Sequence, residues 1–111
     1  MINFSNYGQE RDVHANEDEY EIYLNLKSIM SENGLDPYRL ELVRRSGNYV
    51  TAVIGETDLA RFKFTQRARW ILFPYTSNDK IRLESPDDLY NISVAVIEAV
   101  HMTDDINAMS N

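Results

Sequence analysis

Residues 38–64, YRLELVRRSGNYVTAVIGETDLARFKF, decide the fold, because apolar side chains return at every second position in three successive runs. Tyr38, Leu40 and Leu42 fall on one side of an extended chain, with Arg39, Glu41 and Arg45 on the other. Ser46-Gly47-Asn48 is a short glycine-containing turn into Tyr49–Ile54, and Gly55-Glu56-Thr57-Asp58 is a second. After it, Ala60, Phe62 and Phe64 alternate with Arg61 and Lys63. Short polar turns between alternating runs predict antiparallel hairpins in series.

Toward the C-terminus, Arg69–Phe73 is apolar on both sides and predicts a more buried strand, Pro74–Asp79 a polar loop, and Lys80–Glu84 a short last strand. Ser85-Pro86-Asp87-Asp88 joins a Ser cap, a proline at the first helical position and an acid three residues after the cap, which predicts a helix. Leu89, Ile92, Val96 and Ala99 recur at helical spacing, and the pattern fades after His101.

Toward the N-terminus, Asn16-Glu17-Asp18-Glu19 reads as an N-cap with a Glu three residues on. Tyr23, Leu26 and Met30, joined by Ile22 and Ile29, make the apolar stripe of a helix that Gly34 caps and Pro37 stops. Met1–Ala15 and Thr103–Asn111 carry no core-forming pattern and are expected to be flexible, which leaves an ordered core of about 16–102. The expected fold class is α+β, one domain over 1–111. It has two layers: an N-terminal helix, an antiparallel meander of four or five strands and a C-terminal helix, both helices on one sheet face.

Composition narrows function by exclusion. The chain has 111 residues, 43% of them hydrophobic, and no cysteine, so a core is expected without disulfides or thiolate metal sites. Met1–Asn16 has neither a basic start nor an apolar run, so a cytoplasmic location without membrane contact is the default expectation. HExxH, a glycine-rich phosphate loop, GxSxG and an EF-hand pattern are all missing. His14 precedes Glu17 and Asp18, and His101 precedes Asp104 and Asp105, but both histidines sit at element margins. Acid–base catalysis needs firmly held groups, so no enzyme activity, catalytic residue, cofactor or metal is expected.

Charge is informative through its layout. The formal charge of −7 divides into 2 basic and 8 acidic residues over 1–37, 9 and 4 over 38–82, and 0 and 6 over 83–111. A basic middle lies between two acidic ends, an asymmetry that speaks about partners. With helices over one sheet face, that face takes Tyr38, Leu40, Leu42, Val50, Ala52, Ile54, Ala60, Phe62, Phe64, Trp70, Leu72, Ile81 and Leu83. The other face takes Arg39, Glu41, Arg45, Tyr49, Thr51, Arg61, Lys63, Arg69, Ile71, Phe73, Lys80, Arg82 and Glu84, seven basic residues against two acidic ones.

Two binding surfaces emerge from this layout. Glu17, Asp18, Glu19 and Glu21, with Asp87 and Asp88, form an acidic helix surface suited to the cationic groove of a larger protein, such as a nucleic-acid enzyme. Small acidic inhibitors that phages encode against host nucleases work in this general way, an analogy of size and charge. The favoured expectation is therefore a small non-enzymatic interaction protein, a regulator or inhibitor of nucleic-acid machinery. The alternative is single-stranded nucleic-acid binding on the basic sheet face through Arg39, Arg45, Tyr49, Arg61, Lys63, Arg69, Phe73, Lys80 and Arg82. No ribonucleoprotein signature, GXXG loop or basic recognition helix accompanies that face, and a solvated sheet accounts for outward cations equally well. Homo-oligomerisation through the same face is a third expectation.

Overall fold

The computed structural model describes residues 2–5, 12–44 and 48–109. Strand β1 (Ile2–Ser5) pairs antiparallel with β2 (Asp12–Ala15) ahead of helix α1 (Glu17–Glu32). A 3-10 turn at Pro37–Arg39 leads into strands β3 (Leu40–Val43), β4 (Val50–Ile54), β5 (Thr57–Phe64), β6 (Arg69–Leu72) and β7 (Ile81–Arg82). A second 3-10 segment, Pro86–Ile92, runs into helix α2 (Ser93–Met109). Strands β3 to β7 form a five-stranded antiparallel meander in chain order, and both helices pack on one of its faces.

Helix α1 begins where the cap predicts. The Asn16 side chain accepts from the Glu19 amide at 2.7 Å, and a Glu19 carboxylate oxygen accepts from the Asn16 amide at 3.2 Å, which satisfies two orphan donors reciprocally. The helix ends with Gly34 at φ +74°, the left-handed position that glycine adopts without a Cβ penalty, and the Leu35 amide donates back to Met30. Ile22, Leu26, Ile29 and Met30 are fully buried against the sheet. The Tyr23 hydroxyl reaches the main chain of β3, donating to the Leu40 carbonyl at 3.0 Å.

The sheet core consists of Leu40, Leu42, Val50, Ala52, Ile54, Ala60, Phe62 and Phe64, as the alternation predicts. Between Gly55, at φ +63°, and Thr57 the chain turns more tightly than expected, and Ile54 already pairs with Thr57. Strand β5 therefore starts two residues earlier than the pattern placed it. A bulge follows: Ala52 pairs with Ala60 and Val53 with Asp58, so Leu59 is the extra residue.

Five local expectations are corrected. Tyr38 does not open a strand on the covered face; Asp36 caps the 3-10 turn through the Tyr38 amide, and Tyr38 is 84% exposed. The first seven residues after Ser85 are wound as a 3-10 helix before α2 begins. Thr103–Met109 continues α2 well past His101, and residues 2–5 and 12–15 form a hairpin where the pattern showed no element. Strand β6 also has the opposite phase. Phe62 pairs with Ile71 and Lys63 with Trp70, so Ile71 and Phe73 join the core at 0% and 1% exposure while Trp70 faces outward. An uninterrupted apolar run carries no period-two signal, and the turn at Thr65–Ala68, closed by the Thr65 amide on Ala68 O at 2.8 Å, sets the register instead. The expected Ser46-Gly47-Asn48 turn falls largely outside the described residues, as does Arg45.

The phase of β6 has a measurable consequence. Phe73→Ala is expected to cost about 3–5 kcal/mol in urea unfolding, the range for an aromatic removed from a packed core. A loss below about 1 kcal/mol would restore the outward orientation. A second expectation concerns alkali. Burial, followed by the nearby Glu41 and Tyr20, raises the Tyr23 phenol above its ordinary value of about 10. The folded state therefore retains this proton longer than the unfolded chain does. The resulting stabilisation is complete below about pH 10 and is lost as pH rises through the folded-state value. Tyr23→Phe should flatten that alkaline decline in urea midpoints; an unchanged slope would mean that other groups cause it.

Candidate functional site

The face of the sheet away from the helices is ordered by the strand register. Lys63 on β5 pairs with Trp70 on β6, and Trp70 pairs with Arg82 on β7. Tyr49 lies one step beyond the Val50–Phe62 pair, which puts it in line with Lys63. A single row therefore crosses four strands as Tyr49, Lys63, Trp70, Arg82. The Tyr49 and Trp70 rings are 6.1 Å apart at 56°, a tilted aromatic pair, and the Lys80 ammonium lies 4.5 Å from the Trp70 ring centroid. Lys80 and Arg82 are exposed; Tyr49, Lys63 and Trp70 are half-buried.

Beside this row the face changes character. Thr51, Val53 and Leu72 are buried, and Arg61 is held by Asp58 at 3.1 Å. Glu41 pairs with Val53 across the next step, and partial burial raises its carboxyl above the usual range. The outer face is thus basic and aromatic at the Tyr49–Trp70 end and acidic at the Glu41–Asp58 end.

Several expected members of the basic face are placed elsewhere. Phe73 is in the core. Arg39 leaves the sheet face for α2, where it meets Asp104 at 2.7 Å; that hydrogen bond raises the guanidinium pKa further. Arg69 pairs with Phe64 at the mouth of β6, its guanidinium 5.2 Å from the Phe64 ring centroid and its Nε donating to Thr65 O at 3.0 Å. Arg45 lies outside the described residues. Tyr49, Lys63, Lys80 and Arg82 lie together on this face, Arg82 in an exposed ion pair with Glu84 at 2.9 Å and Arg61 beside them in its own, and Trp70 is the residue that sequence reasoning assigned to the core.

The acidic helix surface divides in two. Glu19 is 5% exposed: besides the Asn16 amide it accepts from the Phe64 amide at 3.2 Å, and the Arg44 guanidinium approaches to 3.9 Å. Asp88 accepts from the Glu84 and Ser85 amides at 2.8 and 3.1 Å. These two carboxylates hold helix starts and are withdrawn from any partner. Glu17, Asp18 and Glu21 are exposed, and exposed Asp87 accepts from Asn25, which also donates to Pro86 O at 2.9 Å. His101 is exposed on α2.

This division of the acids shows in stability. Glu19→Ala is expected to cost about 2 kcal/mol, because it removes a helix cap and leaves the buried Phe64 amide without its acceptor. Glu21→Ala should change stability by less than about 0.5 kcal/mol. Equal effects in urea unfolding would contradict the division.

No group of three or more His, Cys, Asp or Glu among the described residues could hold a metal ion, and no helix among them is long and apolar enough to cross a membrane. In comparisons with known proteins, the chain matches no family model, no curated protein and no solved structure.

Proposed function

We propose that this protein is a non-enzymatic binding module whose working surface is the outer sheet face, and that this surface takes single-stranded nucleic acid. The observation that carries the reading is the Tyr49–Trp70 ring pair set in one row with Lys63 and Arg82 and joined by Lys80. Aromatic rings accept any base on their faces, at about 1–3 kcal/mol per stacked base, while cations at the strand edges meet the phosphates. Strands lie about 4.8 Å apart, so the row extends over about 14 Å, room for one base at each ring with phosphates alongside. A base stacking on Trp70 displaces the Lys80 ammonium from the ring and frees it for a phosphate.

The formal charge of −7 does not oppose this reading. Exposed Glu17, Asp18, Glu21 and Asp87 belong to the helix layer, across a molecule whose shortest extent is 24 Å. Screening over about 10 Å at 0.1 M salt isolates the basic strip from them. An acidic surface filling a cationic groove is the weaker reading, because Glu19 and Asp88 are occupied with structural hydrogen bonds.

Trp70 is the sole tryptophan, so intrinsic fluorescence reads this surface directly. Titration with an oligothymidylate of about 12 nucleotides is expected to quench its emission, with affinity falling steeply as salt rises. Lys63→Ala with Lys80→Ala should flatten the salt slope by about 1.4, two single-strand phosphate contacts. Unchanged emission and no mobility shift at about 50 mM salt would exclude the reading.

A further inference from the structure

Helix α2 presents a second surface. Its buried side carries Val96, Ala99, Val100 and Thr103, and the opposite side carries Val94, Glu98, Met102, Asp105 and Met109, all exposed. At 100° per residue these five fall within an arc of about 80°, a continuous stripe along a helix about 25 Å long. Val94 is 71% exposed and Met109 75%, while Met102 is 39% exposed. Isolated apolar residues at a surface need no explanation, but three on one helical stripe interleaved with carboxylates form a pattern. Residues 93–109 contain no lysine or arginine, so nothing on the helix itself neutralises Glu98 and Asp105.

We infer that this stripe docks a basic amphipathic helix of a partner protein. Charge complementarity selects the occupant. A second copy of α2 would set Glu98 and Asp105 against like charges, and an acidic or neutral helix would leave them unmatched. A helix with apolar residues at three- and four-residue spacing and Lys or Arg between them supplies both halves of the contact. The two methionines adapt to its side chains. The surface is on the helix layer, remote from the Tyr49–Trp70 row, so the two sites can be occupied together.

The test is titration of the full chain with a synthetic Leu/Lys amphipathic peptide of about 18 residues, followed by calorimetry and by Trp70 emission. Binding is expected with Trp70 emission unchanged, because the tryptophan is on the other layer. Val94→Ser with Met102→Ser and Met109→Ser should weaken binding at least about tenfold, and Glu98→Gln with Asp105→Asn should slow association and reduce its salt dependence. Glu17→Gln with Glu21→Gln should leave affinity unchanged. These are exposed positions, so circular dichroism should match the parent. Equal affinity of the triple serine variant would overturn the inference by showing that charge alone holds the peptide. A change in Trp70 emission would place the peptide on the sheet, and a dimer abolished by the serine variant would assign the stripe to a second copy; either result overturns it too.

Discussion

Everything in the layout of this domain depends on how the N-terminus of α1 is fixed to the end of β5. Strand β4 begins at Val50, opposite Phe62, so the main chain of Phe64 has lost its neighbour on that side. Asn16 and Glu19 take the place of that neighbour. The Asn16 side chain donates to Phe64 O at 2.7 Å and a Glu19 oxygen accepts the Phe64 amide at 3.2 Å, while the same two side chains close the helix cap. A buried amide or carboxylate without a partner would cost several times what one hydrogen bond contributes, so these four groups are satisfied together or not at all. The junction therefore sets the position of the helix on the sheet, not only its first residue.

The same constraint explains which acids are free. Sequence reading treats the Asn16–Glu21 segment as one acidic block, because composition weighs each carboxylate alike. The capping pattern was visible in the spacing of Asn16 and Glu19, and the spacing of Ser85 and Asp88 has the same form. What spacing could not show is that Glu19 also serves a strand 45 residues away. A cap oriented toward solvent and a cap oriented into the fold have identical sequences. The distinction arises from burial, and it moves Glu19 from the surface inventory to the core.

Legibility elsewhere followed the kind of signal each element carries. The α1 stripe, its Gly34 stop and the alternation through β3 to β5 were readable because apolar and polar positions differ along the chain. Strand β6 lies in a run of four consecutive non-polar residues, Trp70–Phe73, so its phase is set by the four-residue turn before it, and one step of phase exchanged Trp70 for Phe73. The last turns of α2 were unreadable for a different reason. Thr103 bonds back to Ala99 O, Asp104 meets Arg39, and Asn107 donates to Ile54 O and accepts from Thr57 at the β4–β5 turn. Polar contacts hold that segment, and an apolar periodicity search passes over them. The Gly55 turn is part of the same arrangement, since a Cβ there would lie 3.2 Å from the Asn107 amide nitrogen.

The phase of β6 bears most directly on function. With the reversed phase, the outer face would have presented cations around Phe73 and Ile71, an apolar patch resembling a protein contact. With the observed phase, those two fill the core, and the face receives an indole between Tyr49, Lys63, Lys80 and Arg82. An indole carries a broad π face and a polar edge, and it attracts cations where a small apolar side chain does not. A single-residue shift in register thus changes what the surface can recognise, from apolar contact to stacking combined with charge. Meanwhile Glu17, Asp18, Glu19, Asp87 and Asp88 gather at helix starts, where dipoles and caps favour them, on the layer behind the sheet. Separation of charge in this molecule is therefore a by-product of how its helices begin and how its strands alternate, and it leaves a basic aromatic strip that the overall charge of −7 conceals.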